Sequence, residues 1–397
     1  MYGVIREAKK NPSIGKVLGA IGGTGAIFTE QFLDLTAFSD EKLKLLLHTP
    51  ASAIGSSRYP LYEEDYAKMP EIFKKHHIGY VLLNGGNGTM DACEHIYEVC
   101  RDHGIGVAGI PKTVDNDIAM TDHVPGYGSA ARYLAATTQE VGEDVKSLPI
   151  HVSVIEAMGR NAGWLTAASA LARNNGAEGP SLIYLCEPAF SVESFLADVK
   201  GKLEKQDSVL VAISEGIKDK DGVYISEQVQ SGAVDNFGHS YIAGSARVLE
   251  DIVRREIGCK VRSIELNLMQ RCASHIASKT DIQESKMLGM TACRCALQGK
   301  SGLMASVERI SSHPYQVRYT AVPVCEVSNQ LKGVSMLLVI YCHGVLLPYH
   351  SVVGNLMMTL AWGAVPCFVW HRGQYCIRAD DFYNGKKLGK TPLDLCI

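Results

Sequence analysis

From about residue 78 the chain repeats one pattern: a short apolar run, a turn rich in Gly or Pro, then a stretch with apolar residues at helical spacing. Ile78 to Leu83 reads as a strand ending in Asn84-Gly-Gly-Asn-Gly-Thr89, followed by a helix over Met90 to His103. Ile105 to Ile110 is the next strand and ends in Pro111-Lys-Thr113. His151 to Glu156, Ser181 to Leu185 and Val209 to Ile213 read as further strands, and Ser263 to Leu268 as another. Strands alternating with helices predict parallel sheets covered by helices, with ligands bound at the carboxyl ends of the strands. Function is therefore expected in the turns. Motif character changes near residue 149, a boundary between two units, and no internal repeat or heptad run interrupts the pattern.

Composition changes this picture mainly at the C-terminal end. From Gly333 to His371 there is no Asp, Glu, Lys or Arg, which sets residues 333–397 apart as an atypical tail. Its apolar runs, Ser335 to Val345 and Val352 to Trp370, are divided by Pro348, His350, Gly354 and Asn355, so neither is a clean membrane span. The abrupt change reads as a non-native terminus. Across 397 residues the formal charge is −3, so nothing global attracts nucleic acid or an anionic membrane, and any anion must be captured locally. The 12 cysteines include no Cys-x-x-Cys, and Cys272-x-x-His275 has no second pair at zinc spacing. Met1 to Lys10 lack a secretory apolar core, which with these thiols gives a cytoplasmic reading.

The turns carry the chemistry. In Gly85-Gly86-Asn87-Gly88-Thr89, glycines let backbone N–H groups approach an anion, the helix start adds partial positive charge, and Asn87 and Thr89 offer oxygens to a phosphate or its metal. A plain tight turn with a helix cap has the same composition. Pro111-Lys112-Thr113-Val114-Asp115-Asn116-Asp117 sets two carboxylates beside a lysine and a hydroxyl, a proton acceptor next to a cation. Met158-Gly159-Arg160 and Ser214-Glu215-Gly216 end two further strands with groups suited to phosphate and sugar hydroxyls, and Arg262 and Arg271 bracket a third strand-like segment. A glycine-rich dehydrogenase fingerprint with its later acidic residue is absent.

Together these motifs, in content and order over residues 1–332, resemble the phosphofructokinase family. Gly-Gly-Asn-Gly-Thr is similar to its phosphate loop, Pro-Lys-Thr-Val-Asp-Asn-Asp to its catalytic signature, Met-Gly-Arg to its sugar turn, and Gln270-Arg271 to the core of a later signature. Thr49 to Arg58 resembles the segment whose arginine faces the phosphoryl donor. The surrounding wording resembles short bacterial diphosphate-dependent members. The resemblance implies two Rossmann-like parallel-sheet α/β domains: a donor domain over 1–149, a fructose 6-phosphate domain over 150–270 and a crossing segment over 271–332. It also implies that the family's first strand and phosphate loop are missing, since Met1-Tyr-Gly-Val-Ile-Arg6 looks like the helix after that loop.

Carried over residue by residue, the resemblance makes Asp115 the base that takes the proton from the sugar 1-hydroxyl and Asp117 its supporting carboxylate. Thr113 lies close to the reacting sugar and Lys112 near the transferring group. Met158, Gly159, Arg160, Glu215, Arg262 and Arg271 would hold fructose 6-phosphate, while Arg58, Gly86, Asn87 and Gly88 would face the donor. Mg²⁺ is the implied cofactor, with Asn87 beside it. Diphosphate is the expected donor: in the family a bulky Asp at the position of Gly88 crowds a nucleotide's α-phosphate, and a Lys at the position of Lys112 accompanies diphosphate use. ATP use, or a catalytically dead sugar-phosphate-binding homologue, are the alternatives. A homo-oligomer, dimer or tetramer, is implied because such sugar sites borrow an arginine from a neighbour. The pattern departs at His151, where an arginine is expected, at Leu268, where a histidine is expected, and at Cys272-Ala273 in place of Gly-Gly.

Overall fold

The computed structural model describes residues 1–57, 59–176, 179–228, 244–312 and 314–334. Arg58 and the tail from 335 onward, both singled out above, lie outside the described residues. In chain order the helices are α1 (Tyr2–Ala8), α2 (Gly25–Phe28), α3 (Asp40–Lys44), α4 (Glu63–Lys75), α5 (Asn87–Cys100), α6 (Tyr127–Ser147), α7 (Trp164–Ala168), α8 (Val192–Leu203), α9 (Ser245–Glu256) and α10 (Lys279–Leu297). The strands are β1 (Leu18–Ala20), β2 (Phe32–Asp34), β3 (Tyr80–Gly85), β4 (Gly106–Pro111), β5 (Val152–Ala157), β6 (Leu182–Tyr184), β7 (Val209–Ser214), β8 (Val261–Glu265), β9 (Leu303–Ser312) and β10 (Tyr315–Pro323).

Two four-stranded sheets organise these elements, in the orders β10-β9-β4-β3 and β6-β7-β5-β8, and β1 and β2 form a separate antiparallel pair. The second sheet is parallel throughout, and every residue of β5 and β7 is buried. Strands covered on both faces read as continuous apolar runs, which is why Val209 to Ile213 stands out in the sequence. The first sheet is parallel from β3 through β4 to β9, then closes with the antiparallel hairpin β9–β10. That hairpin was not anticipated, because β10 alternates buried-side Tyr315, Val317 and Tyr319 with exposed Gln316 and Arg318 instead of forming an apolar run. The last expected strand also lies earlier than predicted, at Val261–Glu265, and Asn267–Arg271 forms a 3₁₀ turn.

Helix starts are secured by side chains. Ser191 and Ser278 cap α8 and α10 by accepting the N–H groups of Ser194 at 3.2 Å and Asp281 at 3.4 Å. Asp281 in turn accepts the N–H groups of Gly126 at 2.9 Å and Ser129 at 3.0 Å, so a buried carboxylate on α10 caps α6. Behind the first sheet a buried ion network ties α10 to the hairpin: His123 meets Asp122 at 2.9 Å and Glu284 at 2.6 Å, Arg309 grips Asp122, and the Tyr315 hydroxyl donates to Glu284. These two carboxylates push the His123 imidazole up to about 9 against the opposing effect of its burial.

Helices α1 and α10 cross in backbone contact at Gly3: a Cβ there would lie 2.0 Å from the Lys286 carbonyl oxygen. Gly3→Val should therefore destabilise by about 1–3 kcal/mol through overpacking. Gly201, in the last turns of α8, has open space around its would-be Cβ, so Gly201→Ala should stabilise by about 0.5–1 kcal/mol. Denaturant melts of both variants test the pair; equal and near-zero shifts would contradict it.

Candidate active site

The glycine-rich turn does not precede its helix but enters it. α5 begins at Asn87 with Gly86 as its cap, so Asn87 and Gly88 occupy the first helical turn, where backbone N–H groups lack intrahelical partners. β3 delivers this turn and its neighbour β4 delivers the Pro111–Asp117 loop beside it. The two loops touch: a Cβ on Gly86 would lie 3.8 Å from the Lys112 carbonyl oxygen, and Lys112 N–H donates to the Gly85 carbonyl at 2.9 Å. The Asn87 side-chain amide donates to the Asp117 carboxylate at 2.8 Å and to its carbonyl at 3.2 Å. Gly88 is exposed, with open space at its would-be Cβ.

The loop carrying Asp115 and Asp117 is held by its own short-range bonds. Thr113 Oγ1 accepts the Asp115 N–H at 3.0 Å, and Thr113 N–H donates to the Pro125 carbonyl at 3.1 Å. Asn116, fully buried between the two acids, adopts the left-handed conformation at φ 56°, which Asn tolerates better than most residues. Its Oδ1 accepts the Val124 N–H at 3.0 Å, bracing the return of the loop toward α6. Ile118, fully buried next to Met90 and Met304, anchors the same loop in the core.

This packing shapes the electrostatics. One carboxylate oxygen each of Asp115 and Asp117 is buried without a hydrogen-bond partner among the described residues. Burial first, and the Asp117 charge second, push the Asp115 carboxyl up to about 6, while Arg160, Lys112 and Arg271 pull it back. Asp117 is raised by burial too, opposed by its backbone N–H, Asn87, Lys332 and Thr113. Across the cleft Glu215 is pushed up to about 7 by burial and by Asp115, and its Oε1 accepts the Gly159 N–H at 3.3 Å.

The Met158-Gly159-Arg160 turn hangs on β5 and β7. Gly159 sits at φ 126°, and a Cβ there would lie 2.4 Å from the Ala162 carbonyl oxygen, so only glycine fits. Its carbonyl accepts from the Ser214 hydroxyl at 2.6 Å. Met158 N–H donates to Gln270 Oε1 at 3.1 Å, which fastens the turn to the 3₁₀ segment bearing Arg271. Arg160 is half-buried and Arg271 exposed, and both act electrostatically on Asp115. Arg262 lies exposed on β8, and among the described residues no hydrogen bond or ion pair joins it to this cluster.

One residue was missed altogether. Lys332 is half-buried, its amine set among acceptors of the loop that carries Asp115 and Asp117, and loss of water around that amine lowers it to about 8. A lone lysine before an uncharged tail carries no local signal. Gly333 and Val334, read as the start of that tail, belong to the folded body: Val334 is buried in the core beside Trp164, and its N–H donates to Glu187 at 2.9 Å.

Turn, paired carboxylates and converging cations form a site suited to phosphoryl transfer. A family model described as "Phosphofructokinase" matches residues 1–296. The pyrophosphate–fructose 6-phosphate 1-phosphotransferase of Halomonas elongata is 35% identical over 341 residues, covering 83% of this chain and 81% of the relative. That of Methylococcus capsulatus is 37% identical over 338 residues, covering 82% and 80%. Among solved structures, the pyrophosphate-dependent phosphofructokinase from Nitrosospira multiformis superimposes with TM-score 0.79 at 32% identity, covering 92% of this chain and 87% of that one. The chain belongs to the phosphofructokinase family.

Proposed function

We propose that the protein transfers a phosphoryl group from diphosphate to the 1-hydroxyl of fructose 6-phosphate, giving fructose 1,6-bisphosphate and inorganic phosphate in glycolysis. The observation that carries this reading is the buried Asp115 carboxyl, set beside Asp117 and within the field of Arg160, Lys112 and Arg271 at the mouth of the glycine-rich turn. The names of the relatives favour diphosphate as donor.

In this reading Asp115 accepts the 1-hydroxyl proton as the sugar oxygen bonds to the nearer phosphorus, and the bond from that phosphorus to the bridging oxygen breaks. Asp117, held by Asn87, keeps the loop in place and raises the proton affinity of Asp115. Thr113 lies beside the reacting sugar and fixes Asp115 through its N–H. Lys112 faces the departing phosphate. The backbone N–H groups at the cap Gly86 and at Asn87 and Gly88 in the first turn cradle the donor, and Arg58, outside the described residues, is assigned to the donor by resemblance alone. Met158, Gly159, Arg160, Glu215, Arg262 and Arg271 hold the sugar phosphate.

Phosphofructokinases generally use a divalent metal. The unpartnered buried carboxylate oxygen of Asp117 and the amide oxygen of Asn87 suit a hard cation, which we take to be Mg²⁺, and leave Asp115 free to act as the base. When bound it would neutralise charge on the transferring group. A homo-oligomer fits the exposed Leu268 and Met269 beside Arg271, apolar surface that a second copy would cover. Among the described residues no helix is long and apolar enough to cross a membrane.

Asp115→Asn should lower kcat by roughly 10² to 10⁴ with little change in sugar affinity. Binding of fructose 6-phosphate by the parent without turnover from either donor would overturn the enzymatic reading. Because the base must be ionised, kcat/KM should rise with pH through about 6 and then level. The same raised carboxyl has a stability consequence. A folded-state value above the unfolded one means the folded protein holds the proton more tightly, so this contribution is present at low pH and lost as pH rises through about 6. Asp115→Asn should therefore raise Tm by about 2–4 °C at pH 8 and not at pH 4. For the donor, kcat/KM with Mg-diphosphate should exceed that with Mg-ATP. Gly88→Asp, which the open space at that position accommodates, should depress ATP use and spare diphosphate use. A tenfold preference for ATP, about 1.4 kcal/mol in the barrier, would contradict the assignment.

A further inference from the structure

The Lys332 ammonium has three donors and meets three oxygens: Asn116 Oδ1 at 3.3 Å and the carbonyls of Thr121 and Asp122, each at 3.1 Å. Its backbone N–H donates to the Asp117 carbonyl at 2.8 Å. One residue thus engages the loop at four points: the left-handed Asn116, Asp117 beside it, and two carbonyls where the loop turns back. Its own carbonyl faces the other way and accepts from Trp164 Nε1 at 2.8 Å. Trp164 opens α7, the helix that follows the Met158-Gly159-Arg160 turn. Two residues on, Val334 N–H donates to Glu187 Oε1, which also accepts the Gly163 N–H at 2.8 Å. The short segment 332–334 is therefore bonded on one side to the loop bearing both acids and on the other to the start of the helix behind the sugar turn.

We propose that Lys332 is a positioning residue for phosphoryl transfer: it holds the Asp115-Asn116-Asp117 turn in its left-handed form and fixes that turn relative to the sugar-binding turn. The inference rests on the reading of Asp115 as the base. Its physical basis is that a left-handed non-glycine residue is held by its surroundings: Asn87 bonds Asp117 from α5, and Lys332 bonds both Asn116 and Asp117 from the far end of the chain. Proton abstraction demands an oxygen placed to within a fraction of an ångström, so loosening this turn costs rate more than binding. Burying an ammonium is expensive, and among the described residues the oxygens that satisfy it all belong to this one loop.

The test uses Lys332→Met and Lys332→Arg in the full chain, each also combined with Asp115→Asn, with thermal melts to correct for folded fraction. Lys332→Met should lower kcat by roughly 10- to 100-fold while KM for fructose 6-phosphate moves less than about threefold, and Lys332→Arg should recover part of the loss. With Asp115→Asn already present, Lys332→Met should cost less than about threefold, because no base remains to be positioned. Trp164→Phe, which removes the donor to the Lys332 carbonyl and shrinks the ring that lies 5.9 Å from its ammonium, should show the same dependence on background with a smaller loss, and it serves if Lys332→Met does not fold. Equal losses with and without Asp115, or kcat within about twofold of the parent, would overturn the inference while leaving the base assignment standing. Near-full activity of Asp115→Asn alone would instead overturn the base assignment.

Discussion

Two carboxylates two residues apart can be carried into a buried turn only if the backbone between them is fully engaged. That constraint organises this molecule. Asn116 takes the left-handed conformation, its side chain accepts from Val124 and Lys332, Thr113 holds the Asp115 N–H, and Asn87 holds Asp117. What is left unsatisfied in this loop, among the described residues, is one oxygen on each acid and the Asn116 side-chain nitrogen between them. A buried oxygen without a partner costs roughly 1–3 kcal/mol, and a fold retains such groups where they face chemistry. The loop is tied down in its backbone and under-satisfied in its side chains, the state that the proposed base would require.

The same sheet geometry uses buried acids in two ways. Glu156, at the end of β5, is pushed up to about 7 by burial yet is capped by the N–H groups of Gly244 at 3.0 Å and Ala246 at 2.8 Å at the start of α9. It closes a helix end, and its charge adds to the rise at Glu215. Glu215, one residue beyond the neighbouring strand β7, is raised to about the same value, but its carboxylate reaches the Gly159 turn and feels Asp115. Similar proton affinities thus mark a structural acid and a cleft acid, and only their partners distinguish them.

Much of this was legible in the sequence, and the reason is local. β3, β4, β5 and β7 are short and mostly apolar, and the turns after them carry glycine or paired charge where only special backbone or chemistry would place it. The antiparallel hairpin was not legible because its alternation of polar and apolar residues is weak at a sheet edge, and because it joins a sheet otherwise parallel. The start of α5 was misjudged by three residues because Asn87 and Gly88 look like turn residues and serve as a helix's first turn. Lys332 was invisible for a different reason: its partners lie some two hundred residues earlier, three of them backbone carbonyls, and backbone acceptors leave no trace in composition.

The balance of charges across the cleft has a further consequence for the proposed reaction. In the free protein Lys112 and Arg271 are exposed and Arg160 half-buried, so water screens much of their pull, and burial wins at Asp115. An arriving phosphate donor brings several negative charges close to that carboxylate and, acting alone, would raise its proton affinity further and disable the base. The same arrival displaces water from the cations, so their attraction strengthens as the donor's repulsion does. In the proposed reaction, cations arrayed outside the buried pair would therefore do more than bind the substrate. They would let a buried carboxylate stay ionised beside a polyanion, a task separate from that of Lys332, whose ammonium is taken up by the oxygens of the loop.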